Sequence, residues 1–218
     1  MTLKKDLSQG FKLWRLVHLH GMSLFRARYS RSKLGQLWAT IVSFFYILSI
    51  GSVWTLIWGV DIDNYLPHVA FGSIIYTLFS TPIVESISLL EGDARMYIND
   101  KRPYILSSLA CIYRNFIIFL HNLPILIVVL MWSKSRQPII DLRTFFSILF
   151  SFVTVTFFSY GVALVCARFR DLKSIIDTII QVSFLLTPVM WEIKFLPSKY
   201  HIFIYIFNPF ASALETLR

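Results

Sequence analysis

Five stretches of this chain, residues 37–60, 67–90, 109–132, 144–167 and 174–191, are apolar over 18 to 24 residues. A helix needs about 20 such residues to cross the hydrocarbon of a bilayer. In lipid every backbone N–H and C=O must be satisfied within the segment, so a run of this kind folds as a helix or not at all. The first and fourth stretches carry no charge; the second contains Glu85, the third Arg114 and His121, and the fifth Asp177. A sixth apolar stretch, 201–213, is too short to span and is broken at Asn208-Pro209. Proline disfavours helix at the residue before it, so this stretch is expected to form two half-helices at an interface. The predicted fold class is all-α: a polytopic transmembrane helix bundle with five spans.

Composition supports this. Hydrophobic residues make up 56% of the 218, mean hydropathy is +0.64, and only 15% are charged, against about 25% in soluble domains. A disordered chain is excluded and a soluble globule disfavoured. The charge that remains is basic, 21 Lys and Arg against 12 Asp and Glu, for a net +9. In an apolar chain that excess belongs in loops on the cytoplasmic side, so the expected partner is membrane lipid and not nucleic acid. Eight of the bases fall in residues 1–36, where Phe11, Trp14, Val17 and Leu24-Phe25 recur at helical spacing among them. This is the pattern of an amphipathic helix lying on a membrane surface; it has neither the compact apolar core nor the cleavage site of a signal peptide. With the N-terminus inside, the inner segments hold fourteen Lys and Arg and the outer segments five. Trp38 then falls at the inner interface, Trp54 and Trp58 at the outer one, as aromatic belts do. No repeat, linker or low-complexity segment divides the chain. It reads as one membrane domain over 1–218: a basic surface segment 1–36, five spans within 37–191, and outer half-helices over 192–218.

Catalytic signatures are missing from the sequence. There is no GxxxxGK[ST] phosphate loop, no HExxH, no GxSxG and no Cys/His cluster at metal spacing. Cys111 and Cys166 lie in apolar runs without a partner pattern. His18 and His20, two apart in a helix, face different sides. The chain is expected to be no enzyme and to hold no cofactor or metal of its own. Any work against a gradient must draw on a partner or an ion.

Several polar clusters carry two readings each. Residues 28–38, with Arg28, Arg31 and Lys33, form an anchor on anionic lipid or an elbow that also docks a cytosolic partner; physics alone does not choose. Residues 91–103 are the longest polar connector, longer than a turn needs, and Arg95, Met96 and Asn99 share helical spacing; a solvated loop and a docking helix both fit. Arg168, Arg170 and Asp171 form a tight charged turn and could simply pair locally. Pro188 ends the fifth span and removes a backbone hydrogen bond. Broken backbone at membrane depth must face protein or water, so Pro188 with Trp191 and Asn208-Pro209 points to a gate. Glu85, Arg114, His121 and Asp177 are costly in a membrane and face a bundle interior, pair, or snorkel. The aromatics of the fourth span, among them Phe146, Phe150, Phe157 and Phe158, are lipid-facing bulk or a stacking surface for sugar rings.

Taken in order, RYSRSKLGQLW (28–38), DIDNYLPHVAFG (61–72), EGDARMYINDKRP (91–103), YRNFIIFLHNL (113–123), CARFRDLKSI (166–175), LLTPVMW (185–191) and FNPFASALETLR (207–218) resemble the membrane subunit of ABC-type polysaccharide and polyol-phosphate exporters. The resemblance covers nearly the whole chain. It implies a homodimer with a separate ATP-binding subunit, which supplies the ATP and Mg chemistry, moving a lipid-linked glycan across the cytoplasmic membrane. It implies further that Arg95, Met96, Asn99, Lys101 and Arg102 form the coupling stretch against the ATPase. Arg28, Arg31 and Lys33 would be the surface elbow, Arg168, Arg170 and Asp171 the channel entrance, and Pro188, Trp191, Asn208 and Pro209 the outer gate. The family has six spans, so the sixth is expected to be missing from these 218 residues. A related exporter of drugs or lipids is the alternative, and a membrane-embedded transferase, for which Asp61 and Asp63 could be nominated, a more distant one.

Overall fold

A computed structural model of the chain describes residues 3–30, 33–93, 97, 99, 102–132 and 142–217. These residues form an all-helical bundle: α1 (Leu3–Lys12), α2 (Trp14–Tyr29), α3 (Leu37–Trp58), α4 (Ile62–Gly92), α5 (Ile105–Trp132), α6 (Leu142–Arg168), α7 (Leu172–Leu186), α8 (His201–Phe207) and α9 (Pro209–Leu217), with 3-10 turns at Ile193–Phe195 and Ser198–Tyr200. Four helices are long and apolar enough to cross a membrane: Leu37–Trp58, Ile62–Gly92, Ile105–Trp132 and Leu149–Arg168. The fifth expected span is shorter than the sequence pattern implied. α7 has 15 residues, or about 22 Å at 1.5 Å per residue, against roughly 30 Å of hydrocarbon. It stops at Leu186 because Thr187, the residue before Pro188, turns extended (ψ 136°).

The N-terminal segment is two helices. The chain breaks at Leu13, leaving Phe11 and Trp14 exposed on either side of the break while α2 lies along the first half of α5. The two helices come close at Gly21: a Cβ there would fall 2.7 Å from Tyr113 Cδ1 and 2.9 Å from the Ala110 carbonyl oxygen.

α4 is the centre of the bundle, with 16 of its 31 residues buried. Its N-terminus is capped by Asp61, which accepts from the Asp63 N–H at 3.3 Å. That explains Asp61 without any chemistry of transfer. Pro67 and Pro82 sit inside the helix, as membrane helices tolerate where neighbours surround the break. α4 contributes to all three apolar clusters. Ala70 and Ile74 pack with Ile47 of α3 and with Ile125, Leu126 and Val129 of α5. Ile75, Tyr76, Leu78 and Phe79 pack with Val189 and with Leu214 of α9. Ile87 and Leu90 pack with Tyr97 and with Ala163 and Cys166 of α6. Lipid tails are as apolar as leucine, so burial alone does not drive these helices together; close packing and interhelical hydrogen bonds do. The interior accordingly holds Ser73, Ser80, Ser86, Ser107, Ser108 and Ser159. α3 buries only Ala39, Ile47 and Gly51, and presents a broad apolar face outward.

Gly21→Val should separate α2 from α5, because a backbone carbonyl cannot yield to the new side chain. We expect a loss of about 1–3 kcal/mol, the usual range for overpacking, read as a lower unfolding midpoint in detergent. An unchanged midpoint would show that α2 is not seated on α5.

Candidate functional site

The end of the bundle that carries α1 and α2, here the elbow end, is held together by three acidic side chains. Asp6 of α1 is 1% exposed. Its carboxylate accepts from the backbone N–H of Tyr104 (2.8 Å) and Ile105 (3.1 Å), capping α5, and from Tyr160 Oη of α6 (2.6 Å). Those N–H groups would otherwise be orphan donors at a helix start, and they favour an anion there. Glu85 of α4 accepts from Arg28 Nη1 of α2 (2.9 Å), from Asn115 Nδ2 of α5 (3.1 Å) and from Arg114 of α5. Pairing of Glu85 with Arg114 is what membrane cost predicts for two such groups. Among the described residues, Asp177 Oδ1 is buried without a hydrogen bond.

The third acid is Asp93, at the C-terminal end of α4. It accepts from Ser107 of α5 and faces His20 Nε2 of α2 at 3.0 Å. Burial pushes its carboxyl upward, but the hydrogen bonds from His20 and Ser107, with the charges of His20 and Arg102, outweigh burial and hold it below the usual value of 3.8. Ser107 in turn meets Tyr97 Oη, and the Tyr97 ring, 7% exposed, lies tilted at 45° against that of Tyr104 with centroids 4.9 Å apart. Tyr97 and Asn99 are both helical, so the connector expected to dock a partner is pinned to the bundle through Tyr97, with Asn99 exposed. Arg95, Met96 and Lys101 lie outside the described residues, as does Arg31. Arg102 is half-buried, Lys33 is exposed, and Arg28 reaches the bundle through Glu85.

Arg168, Arg170 and Asp171 are all exposed at the turn between α6 and α7. The local pairing that would have explained them does not form; Arg168 instead lies over the Phe169 ring at 5.9 Å.

At the far end the two proline breaks are stitched together. Asn208 Oδ1 accepts from the N–H of Phe210 (3.0 Å) and Ala211 (3.2 Å), capping α9, with Pro209 at the first helical position where its missing N–H costs nothing. Asn208 Nδ2 donates to Thr187 Oγ1 at 2.8 Å, and Thr187 Oγ1 donates to the Ser183 carbonyl at 2.6 Å. Pro188 and Asn208-Pro209, 20 residues apart, thus share one polar joint. α4 holds the same turn: Tyr65 Oη donates to the Met190 carbonyl, His68 Nε2 lies 3.3 Å from the Trp191 carbonyl, and Tyr76 Oη donates to the Ile180 carbonyl at 2.6 Å. Trp191 Nε1 donates to the Leu185 carbonyl (2.9 Å), and its ring borders a largely apolar cleft of about 1210 Å³ between α4, α6, α7 and α8–α9, lined also by Phe150, Phe158, Phe203 and Phe207. Phe146 and Phe157 are exposed elsewhere on α6.

Asp6, His20, Ser107, Tyr160 and Thr187 were not foreseen as functional. Asp6 had a visible signal, being the only acidic residue of the first sixty. The hydroxyl groups had none: Tyr160 meets Asp6 across 154 residues, and Ser107 and Thr187 meet Asp93 and Asn208 across turns that no periodicity encodes.

Four helices long and apolar enough to cross a membrane, packed in one bundle, mark a multi-pass membrane protein. The match to family models places it further. Residues 20–218 match the ABC-2 type transporter family, and the chain belongs to that family. Over its whole length it is 23% identical, across 222 aligned residues, to a protein named O-antigen export system permease protein RfbA from Klebsiella pneumoniae, covering 84% of that protein. A second protein of the same name and organism is 22% identical with the same coverage.

The stability that Asp93 contributes is present above pH 3.8 and disappears as pH falls through its lower folded value, because the folded state then has to take up a proton it resists. Asp93→Asn should therefore lower the unfolding midpoint at pH 7 and flatten its fall as pH drops below 3.8. Parallel wild-type and variant curves across that window would contradict the assignment.

Proposed function

We propose that this chain is the membrane-spanning permease subunit of an ATP-driven exporter of lipid-linked polysaccharide, acting as two identical copies with a separate ATP-binding subunit. The observation that carries this reading is the alignment of the entire chain with permeases named for O-antigen export. The elbow end is then cytoplasmic, since it gathers most of the Lys and Arg, and the membrane is the cytoplasmic one. The energy enters from the partner: ATP and Mg belong to the ATP-binding subunit, and this chain transmits the motion.

In this reading the stretch containing Arg95, Met96, Asn99, Lys101 and Arg102 meets the ATP-binding subunit. A push there reaches α4 and α5 through Tyr97, Ser107 and Asp93, and reaches α2 through His20. Arg28, Arg31 and Lys33 form the elbow that fixes α2 at the membrane surface. Arg168, Arg170 and Asp171, exposed at the same end, are available to a phosphorylated or acidic carrier at the channel entrance. At the far end, Pro188, Trp191, Asn208 and Pro209 form a gate whose joint is one Thr–Asn hydrogen bond, which can open without breaking a continuous helix. Sugar rings have apolar C–H faces that aromatic rings can cover, and Trp191, Phe150 and Phe158 offer such rings beside the gate.

Reconstitution of the chain with its ATP-binding subunit in vesicles tests this directly. ATP-dependent movement of a lipid-linked glycan is expected; movement of a small apolar drug with none of glycan would favour the alternative exporter. Reversing charge at Arg95 and Lys101 together should lower coupled ATPase activity at least tenfold while leaving the protein in the membrane. Trp191→Ala should slow glycan passage several-fold with assembly of the complex, judged by size-exclusion chromatography, intact. Wild-type coupling in the first case, or wild-type transport in the second, would remove the corresponding role.

A further inference from the structure

A second cavity, of about 660 Å³, opens between α2, α3, α4 and α5 at the elbow end, within the usual range for a ligand pocket. Its lining has two characters. Arg28 and Tyr29 of the elbow, with Asn115 and Asn122 of α5, form a polar part; Val42 of α3 and Phe119 of α5 belong to an apolar part. Trp38, one residue into α3, stands in the same wall, at the level where amphipathic aromatics mark a membrane interface. The cavity therefore straddles the boundary between headgroups and hydrocarbon.

The charges around it are unbalanced. Glu85 faces two cations, Arg28 and Arg114, and both of its oxygens are engaged. One positive charge is left over. Arg28 has 45% of its side chain exposed beyond its bond to Glu85. Among the described residues, the Oδ1 of Asn122, 4% exposed in the cavity wall, has no hydrogen-bond partner, nor has Nε of Arg114, which is 7% exposed and outside the cavity lining. Unmatched polar groups at membrane depth are costly and recur where a ligand completes them. An anion would balance the cations, and a hydroxyl donor would satisfy Asn122. A small soluble anion could do the first but would leave Val42 and Phe119 uncovered.

We propose that this cavity binds an anionic phospholipid of the adjoining leaflet, its phosphate beside Arg28 and its chains against Val42 and Phe119. Such a lipid would lock the elbow onto α3–α5. The site is separate from the cleft beside Trp191, and the inference needs only that these helices cross a membrane; it does not depend on which cargo is exported.

The test uses the whole chain, delipidated in neutral detergent, and follows its unfolding midpoint as lipid is titrated; a ligand that binds only the folded state raises the midpoint with concentration. Phosphatidylglycerol should raise it, while phosphatidylcholine and inorganic phosphate should not. Arg28→Gln, and separately Val42→Trp, which fills the cavity and keeps the Arg28–Glu85 pair, should weaken the phosphatidylglycerol effect at least tenfold in concentration. Arg15→Gln, on the exposed surface of α2, should leave it unchanged. The proposal is overturned if inorganic phosphate stabilises as well, if Arg15→Gln acts like Arg28→Gln, if Val42→Trp has no effect, or if a polyprenyl phosphate acts at lower concentration than phosphatidylglycerol and so marks the site as one for the cargo's carrier.

Discussion

Asp6 is the only carboxylate in the first sixty residues, and the seating of the N-terminal helices depends on it. It is 1% exposed and joins three helices at once: α1, the start of α5, and Tyr160 near the end of α6. A surface helix made only of bases and aromatics would be free to slide over the headgroups. One buried acid beneath the first N–H groups of a membrane helix gives it a fixed address. Glu85 and Asp93 repeat the device for α2, through Arg28 and His20. Removing Asp6 would leave the N–H groups of Tyr104 and Ile105 without their acceptor, at a cost of about 1–3 kcal/mol for each buried group.

This arrangement bears on how motion could cross the molecule. The elbow helices, the connector at Tyr97 and the ends of α4 and α5 are tied by short polar contacts into one piece. The far end is built otherwise: α7 stops early, α9 starts afresh from an Asn208 cap, and the joint between them is a Thr187–Asn208 hydrogen bond. Interhelical hydrogen bonds in membranes average only about 0.6 kcal/mol. On the reading proposed above, the first end would receive force and this joint would yield to it.

Much of this was legible in the sequence. Runs of apolar residues identified the spans because bilayer thickness leaves few alternatives, and the breaks at Pro188 and Asn208-Pro209 were readable from proline geometry. The shortness of α7 was not, because the apolar run continues through Thr187 to Trp191 while the helix does not; hydropathy does not register a backbone turn that α4 satisfies through Tyr65 and His68. The partners of Asp6 and Asp93 were equally out of reach. Asp6 meets Tyr160 across 154 residues, and no periodicity encodes a contact of that kind. Glu85 with Arg114 was accessible, since two opposite charges stranded in neighbouring spans have few other ways to be satisfied.

The claim on which the account turns is that the acid-anchored elbow end is a single rigid unit. Pulsed electron-spin distance measurements in liposomes would test it, with labels at Phe11 of α1 and Tyr104 at the start of α5, both exposed, in a background where Cys111 and Cys166 are replaced. The native protein should give one narrow distance distribution, and Asp6→Ala should broaden it while a label pair between α4 and α5 stays sharp. A broad distribution in the native protein, or one that Asp6→Ala leaves narrow, would contradict the account.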